Sequence, residues 1–172
     1  MLRLKIMAAA GALAAALAMA GAAQAQIAPG SRAPLDIAAD ETEAFTKECR
    51  NVWKGEVEAL QARTRLRAST LTAYSATKGD GCGEIQKLVA EGPVFYVTAE
   101  RTVRASNAVY LATADTITLT GDVVVIQGRN VARAERVIID MKTGESRMFA
   151  GTKGRGSANR VRGVFYPSGQ PN

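Results

Sequence analysis

Histidine is absent from all 172 residues. A Ser-His-Asp or Cys-His arrangement, a His-containing zinc site and a His general base all need a side chain this chain does not have. Aromatics are scarce as well, with four Phe, four Tyr and one Trp. Stacking platforms for nucleic acid are therefore few, and the net charge of +6 is mild, with both signs interspersed rather than gathered on one basic face. Cysteine occurs twice, at Cys49 and Cys82. Without His that is too few for a metal centre, and the separation is not the Cys-x-x-Cys spacing of a redox pair. No P-loop occurs either. The expectation is a protein that is not an enzyme, with no catalytic residue, metal or cofactor, and with one core, since a domain takes roughly 100–200 residues.

What is present begins with an export signal. Arg3 and Lys5 precede an uncharged Ala-rich stretch from Ile6 to Ala23, which closes on Ala23-Gln24-Ala25 before Gln26. This is the order of a secretory signal peptide; the stretch is near bilayer length, but its Ala and Gly are only weakly apolar. Residues 1–25 read as a cleaved signal, 26–33 as a flexible mature N-terminus, 34–167 as one domain and 168–172 as a disordered tail, with Gly151–Asn159 a loop before the last strand. Cleavage leaves 147 residues, and loss of Arg3 and Lys5 lowers the charge from +6 to +4. Export places Cys49 and Cys82 in an oxidising compartment, where a disulfide is favoured over two free thiols.

The mature chain repeats itself. Segments starting at Gly55, Gly92 and Gly121 align without a gap: Val57, Val94 and Val123 follow two residues later, and Arg67-Ala68, Arg104-Ala105 and Arg133-Ala134 twelve residues later. Ile37-Ala38-Ala39-Asp40 matches the second half of the unit. The composition is that of strands: Val94-Phe95-Tyr96-Val97-Thr98, Val123-Val124-Val125-Ile126, and Thr116-Ile117-Thr118-Leu119-Thr120, which alternates without a break. Lys78-Gly79-Asp80-Gly81, Thr120-Gly121-Asp122, Gln127-Gly128-Arg129-Asn130 and Lys142-Thr143-Gly144 read as turns. Glu56 to Leu66 would suit a helix by propensity, but it aligns with two β segments and is read as strand. Each unit, two short strands joined at a bend, cannot bury its apolar face alone, whereas stacked units can enclose a shared interior. Period two then defines the inward set as Leu35, Ile37, Val57, Ala59, Leu66, Val94, Tyr96, Val103, Tyr110, Ile117, Leu119, Val123, Val125, Val137 and Ile139.

Pro34-Leu35-Asp36-Ile37-Ala38-Ala39-Asp40, the Gly-x-Val-x-Val-x-Gln stretch from Gly121 to Gln127, Arg133 to Asp140, and Arg160 to Pro167 together resemble the OstA-like domain family. The resemblance covers about Pro34 to Pro167. It implies an all-β fold, a repetitive jellyroll of stacked antiparallel strands open at both ends, in the periplasm. The apolar groove would hold the acyl chains of lipopolysaccharide, and the protein would bridge inner and outer membranes. The partners it implies are lipopolysaccharide (lipid A), an inner-membrane protein of LptC type and the N-terminal domain of an outer-membrane protein of LptD type, without nucleic acid. By motif match the family's lipid contacts fall on Leu35, Ile37 and Tyr110, in agreement with the period-two reading. Where the family often has Asp after Ala, this chain has Ser69, Ser106 and Glu135.

The ends of an open stack leave unpaired backbone groups, so end-to-end self-association is expected, through Pro34–Asp40 at one end and Val161–Tyr166 at the other. Arg67, Arg104 and Arg133 recur in register; a solvated outer face accounts for them more readily than a row facing lipid phosphates. Tyr110 suits a groove mouth or an ordinary core position equally. The alternative to a lipid carrier is a structural or assembly β-solenoid of the envelope with a filled interior and no lipid ligand.

Overall fold

The computed structural model describes residues 26–151 and 160–167. The signal peptide read at 1–25, the tail at 168–172 and the loop from 152 to 159 lie outside the described residues. The described residues form one ten-stranded sheet. In chain order the strands are β1 (Asp36–Ala38), β2 (Glu41–Phe45), β3 (Arg50–Gln61), β4 (Thr64–Lys78), β5 (Gly81–Val97), β6 (Thr102–Leu111), β7 (Thr116–Gln127), β8 (Asn130–Asp140), β9 (Ser146–Phe149) and β10 (Arg162–Val164). Strands β3 to β8 form an antiparallel meander. β1 and β2 lie end to end along β3, as β10 and β9 do along β8, so each edge of the sheet is one interrupted strand. The fold is all-β, with antiparallel strands stacked in an open, jellyroll-like array. Glu56 to Leu66, strand by alignment, crosses from β3 into β4 through a two-residue turn with Ala62 at φ 52°.

The repeat has a structural meaning different from a pair of short strands. Each of the long strands β3 to β8 runs through its bend, and the pairing register slips there, between Lys54 and Val57, Arg67 and Thr70, Glu91 and Val94, Arg104 and Asn107, and Thr120 and Val123. Thr120-Gly121-Asp122, expected as a turn, is therefore a bulge inside β7. Two residues oppose one at such a site, which bends the strand. The pair at Gly92-Pro93 opposes Ser106 on β6 and also sits against Ser69 on β4, where a Cβ on Gly92 would meet the Ser69 hydroxyl at 2.5 Å. Gly121 has φ +82° and lies on Ser106, whose Oγ donates to the Gly121 carbonyl at 3.4 Å. Gly55 sits in the same way against Asp40, whose N–H donates to the Gly55 carbonyl at 3.1 Å. Asp40, Ser69 and Ser106 are thus equivalent positions, each filling the space that a glycine on the next strand leaves. Small polar side chains serve there because a left-handed, side-chain-free residue opposite permits close approach.

The bends fold the sheet over so that two layers share one interior. One layer carries Val57, Ala59, Leu66, Val94, Tyr96, Val103, Val123 and Val125; the other carries Leu71, Ala73, Leu88, Ala90, Ala108, Tyr110, Ile117, Leu119, Val137 and Ile139; all belong to a single buried cluster. Cys49 and Cys82 form a disulfide with Cα atoms 5.3 Å apart. It ties the 3-10 turn Thr46–Glu48 to the start of β5, where the β4–β5 hairpin extends past its neighbour: β6 pairs with β5 only from Lys87 onward.

Candidate functional site

The interior is the candidate site. Val57, Leu66, Val94, Tyr96, Val103, Tyr110, Ile117, Leu119, Val123, Val125, Val137 and Ile139 are all buried and inward, with Ala59, while Leu35 and Ile37 are half-buried against the same cluster. Leu71, Ala73, Leu88, Ala90, Ala108 and Met141 complete the lining. Leu71 and Ala73 escape a simple period-two extension from Leu66 because the one-residue slip at Ser69 moves the inward parity from even to odd numbers. Between the layers lies a narrow apolar gap, lined by Ala59, Leu66, Leu71, Leu88, Tyr110, Ile117 and Ile27 among others, with room for no more than about one water molecule.

Ile27 closes that gap. Residues 26–33, expected from sequence as a flexible lead-in, place Ile27 and Ala28 in the core at 2% and 4% exposure. Their backbone is met by side chains from the sheet. Gln61, at the end of β3, accepts through Oε1 from the N–H of Ile27 at 2.7 Å and of Ala28 at 3.0 Å, and its Nε2 donates to the Ala33 carbonyl at 2.8 Å. The Tyr96 hydroxyl donates to the Ile27 carbonyl at 2.9 Å. From the other layer, the Met141 carbonyl accepts the Gly30 N–H at 2.7 Å. The segment thus bridges the two layers at the strand ends away from the bends. Arg101 joins them too: its guanidinium donates to Ser146 Oγ at 3.1 Å and to the Gly144 carbonyl, and its buried Nε has no hydrogen-bond partner among the described residues. Ile27 lies outside the repeat register that marks the lining; Gln61 lies within it, six residues after Gly55 as Gln127 is after Gly121, but nothing in that recurrence pointed to its contact with residues 27 and 28.

Burial pushes the Tyr96 hydroxyl up to about 12, against an opposing pull from Arg101. Tyr110 is raised in the same direction, again by burial, with a backbone hydrogen bond involving Gln26 working against it. Both phenols are neutral at any physiological pH. Among the described residues no group of three or more His, Cys, Asp or Glu is gathered as for a metal ion.

The outer face has its own order. Arg67, Phe95, Arg104, Val124, Arg133 and Arg162 are successive cross-strand partners from β4 to β10, forming one row along the stack. Arg67 lies 4.0 Å from Glu58, whereas among the described residues Arg104, Arg133 and Arg162 have no carboxylate within that distance. At the β10 end Val164, Phe165 and Tyr166 are exposed, Phe165 at 72%.

An apolar interior running the length of an open antiparallel stack defines a stacked-strand, jellyroll-like fold. The family model for the "LptA/(LptD N-terminal domain) LPS transport protein" matches residues 36–145, well over half of the chain. The chain belongs to that family. Among solved structures it is similar to the crystal structure of LptH from Pseudomonas aeruginosa, described as the LptA homologous periplasmic component of the conserved lipopolysaccharide transport device. The two share 22% identity at a TM-score of 0.65, covering 78% of this chain and 96% of that one. At that identity the likeness concerns the fold. No curated protein sequence matches the chain.

Proposed function

We propose that this protein is a periplasmic carrier of lipopolysaccharide that takes the lipid's acyl chains against the inward face of its stacked strands. The observation that carries this reading is the continuity of that face. Apolar side chains follow one another from Leu35 and Ile37 to Val137 and Ile139 at β8, with the neutral phenols of Tyr96 and Tyr110 among them and no Asp, Glu, Lys or Arg among the described buried residues. Each methylene removed from water contributes about 0.8 kcal/mol, so several partly enclosed acyl chains bind well without any polar anchor. Repeats of similar lining present successive sites of similar depth, which lets a lipid pass along without a trap. The narrowness of the gap means that loading parts the two layers on the side away from the bends, where Arg101 and residues 27–30 bridge them.

The signal sequence and family support export to the periplasm, with an LptC-type protein at the inner membrane and an LptD-type N-terminal domain at the outer membrane as partners. End-to-end contacts between copies, or with those partners, would use the free backbone edges of β1 and β2 at one end and β9 and β10 at the other. The exposed Val164, Phe165 and Tyr166 lie beside the latter edge.

The test is native mass spectrometry of the exported protein purified from a lipopolysaccharide-producing bacterium, beside the variants Ile37→Asp and Tyr110→Asp. A co-purifying lipid A or lipopolysaccharide mass, reduced in both variants, is expected. A folded protein that stays lipid-free after incubation with lipopolysaccharide would overturn the carrier reading in favour of an envelope assembly module.

A further inference from the structure

Gln61 and Tyr96 are unusual for their surroundings. Both are essentially inaccessible, at 1% and 0% exposure, and both place polar groups beside an interior lined mainly by aliphatic side chains. A buried amide or phenol is retained only where its hydrogen-bonding groups are met. Here Gln61 Oε1 accepts from the N–H groups of Ile27 and Ala28, Gln61 Nε2 donates to the Ala33 carbonyl, and the Tyr96 hydroxyl donates to the Ile27 carbonyl. The Ile27 side chain continues from that polar junction into the apolar gap beside Leu66, Leu88, Tyr110 and Ile117. An acceptor, a donor and a hydrocarbon slot are therefore arranged around a secondary amide with an aliphatic group attached.

We propose that Gln61 and Tyr96 form an amide-recognition site within the apolar interior, that Ile27 and Ala28 occupy it in this structure, and that an amide-linked acyl chain takes their place when lipid is carried. The proposal rests on the carrier reading and adds to it the chemistry of one subsite. An N-acyl chain presents the same sequence of groups as Ile27: an N–H for Gln61 Oε1, a carbonyl for the Tyr96 hydroxyl, then hydrocarbon for the gap. An O-acyl ester has the carbonyl and the hydrocarbon but no N–H to offer Gln61 Oε1. The occupying segment is held in a way that permits exchange. It contributes no strand to the sheet, and it meets the opposite layer through the bond from the Gly30 N–H to the Met141 carbonyl and through a hydrogen bond between the Gln26 backbone and the Tyr110 hydroxyl. Displacing it leaves the ten-stranded pairing intact and removes one of the bridges that keep the layers together.

The experiment compares two soluble probes of equal chain length, an N-acylglucosamine phosphate and the matching O-acylglucose phosphate, on the intact exported protein. Binding is measured by calorimetry, and hydrogen exchange is followed at the Ile27 and Ala28 amides. The amide probe is expected to bind about tenfold more tightly than the ester, the value of one additional buried hydrogen bond. Both amides, protected in the free protein, should exchange freely at saturation. Tyr96→Phe and Gln61→Met should narrow the preference for the amide while keeping ester binding. Equal affinity for the two probes, or protection retained at residues 27 and 28 in the saturated protein, overturns the proposal and leaves the carrier reading standing. Failure to bind either probe and lipopolysaccharide overturns both. The exchange measurement uses the unaltered chain, so a variant that folds poorly does not decide the outcome.

Discussion

Arg133 on β8 and Arg162 on β10 are direct cross-strand partners. Both are exposed, and among the described residues neither has a carboxylate within 4.0 Å. Like charges placed opposite one another destabilise a strand pair by roughly 0.2–1 kcal/mol. Arg162→Gln is therefore expected to raise the melting temperature slightly in dilute buffer. The gain should shrink as salt is added, because exposed charges are screened over about 10 Å at 0.1 M ionic strength. Thermal melts of both proteins at low and high salt check this; an unchanged or lowered melting point at low salt would refute the repulsion.

Tyr96 predicts alkaline sensitivity. Its hydroxyl is held up at about 12 in the folded protein against 10 for the free side chain. The unfolded chain thus loses this proton first, so the contribution is complete below pH 10 and is lost as the pH rises through 12. Two pKa units correspond to about 2–3 kcal/mol. Denaturant unfolding between pH 9 and 12 should show stability falling across that window in the native protein and a shallower fall in Tyr96→Phe.

The glycines separate into two kinds. At Gly121, with φ +82°, an added Cβ would approach the Ser106 hydroxyl oxygen to 2.6 Å, while at Gly128, with φ +58°, nothing lies within 4 Å of an added Cβ. Gly128→Ala is expected to cost about 1 kcal/mol for the backbone conformation alone. Gly121→Ala should cost about 1–3 kcal/mol more, for strain plus steric overlap. Urea unfolding of the two variants provides the comparison, and equal losses would show that Ser106 yields without penalty.

The disulfide encloses a loop of sequence separation 33. Loop-closure entropy for that length gives about 3–4 kcal/mol of stabilisation. Replacing Cys49 and Cys82 with Ser should lower the unfolding midpoint accordingly, and exchange protection should fall first in the extended part of the β4–β5 hairpin. A uniform loss of protection across the sheet would mean that the bond constrains the whole unfolded chain rather than that hairpin locally.

The fold was legible in the sequence to the extent that it is periodic. Alternation at Ile117 and Leu119 marked one face, and the gapless repeat carried that face across the bends to Val103 and Tyr110, where counting by two from a single strand loses its place. The nature of the bend was not legible. Gly121-Asp122 has the composition of a hairpin turn, and only pairing with β6 and β8 keeps it inside a strand. Ile27 and Gln61 were beyond reach for another reason. Gln61 recurs with Gln127 six residues after the repeat glycine and Ile27 is a single apolar residue outside the repeat, but their meaning comes from a contact 34 residues apart in sequence. The same holds for the row of arginines: Arg67, Arg104 and Arg133 were visible as a recurrence, but the place of Arg162 beside Arg133 depends on the register of β10.

For the end-to-end assembly proposed above, the interruption of both edge strands would govern how neighbours attach and leave. β1 and β2 comprise three and five residues, and β9 and β10 four and three. A strand laid against either edge meets two short runs of backbone groups, one on each side of the bend, instead of one long run. Ladders this brief hold weakly alone, since isolated two-stranded pairings are marginal in water. Firm attachment therefore requires both runs to engage together, as two weak grips joined by a rigid body. Release can proceed one grip at a time. A bridge assembled from such joints is firm while complete and comes apart by small steps, without the cost of breaking a full-length strand pairing at once.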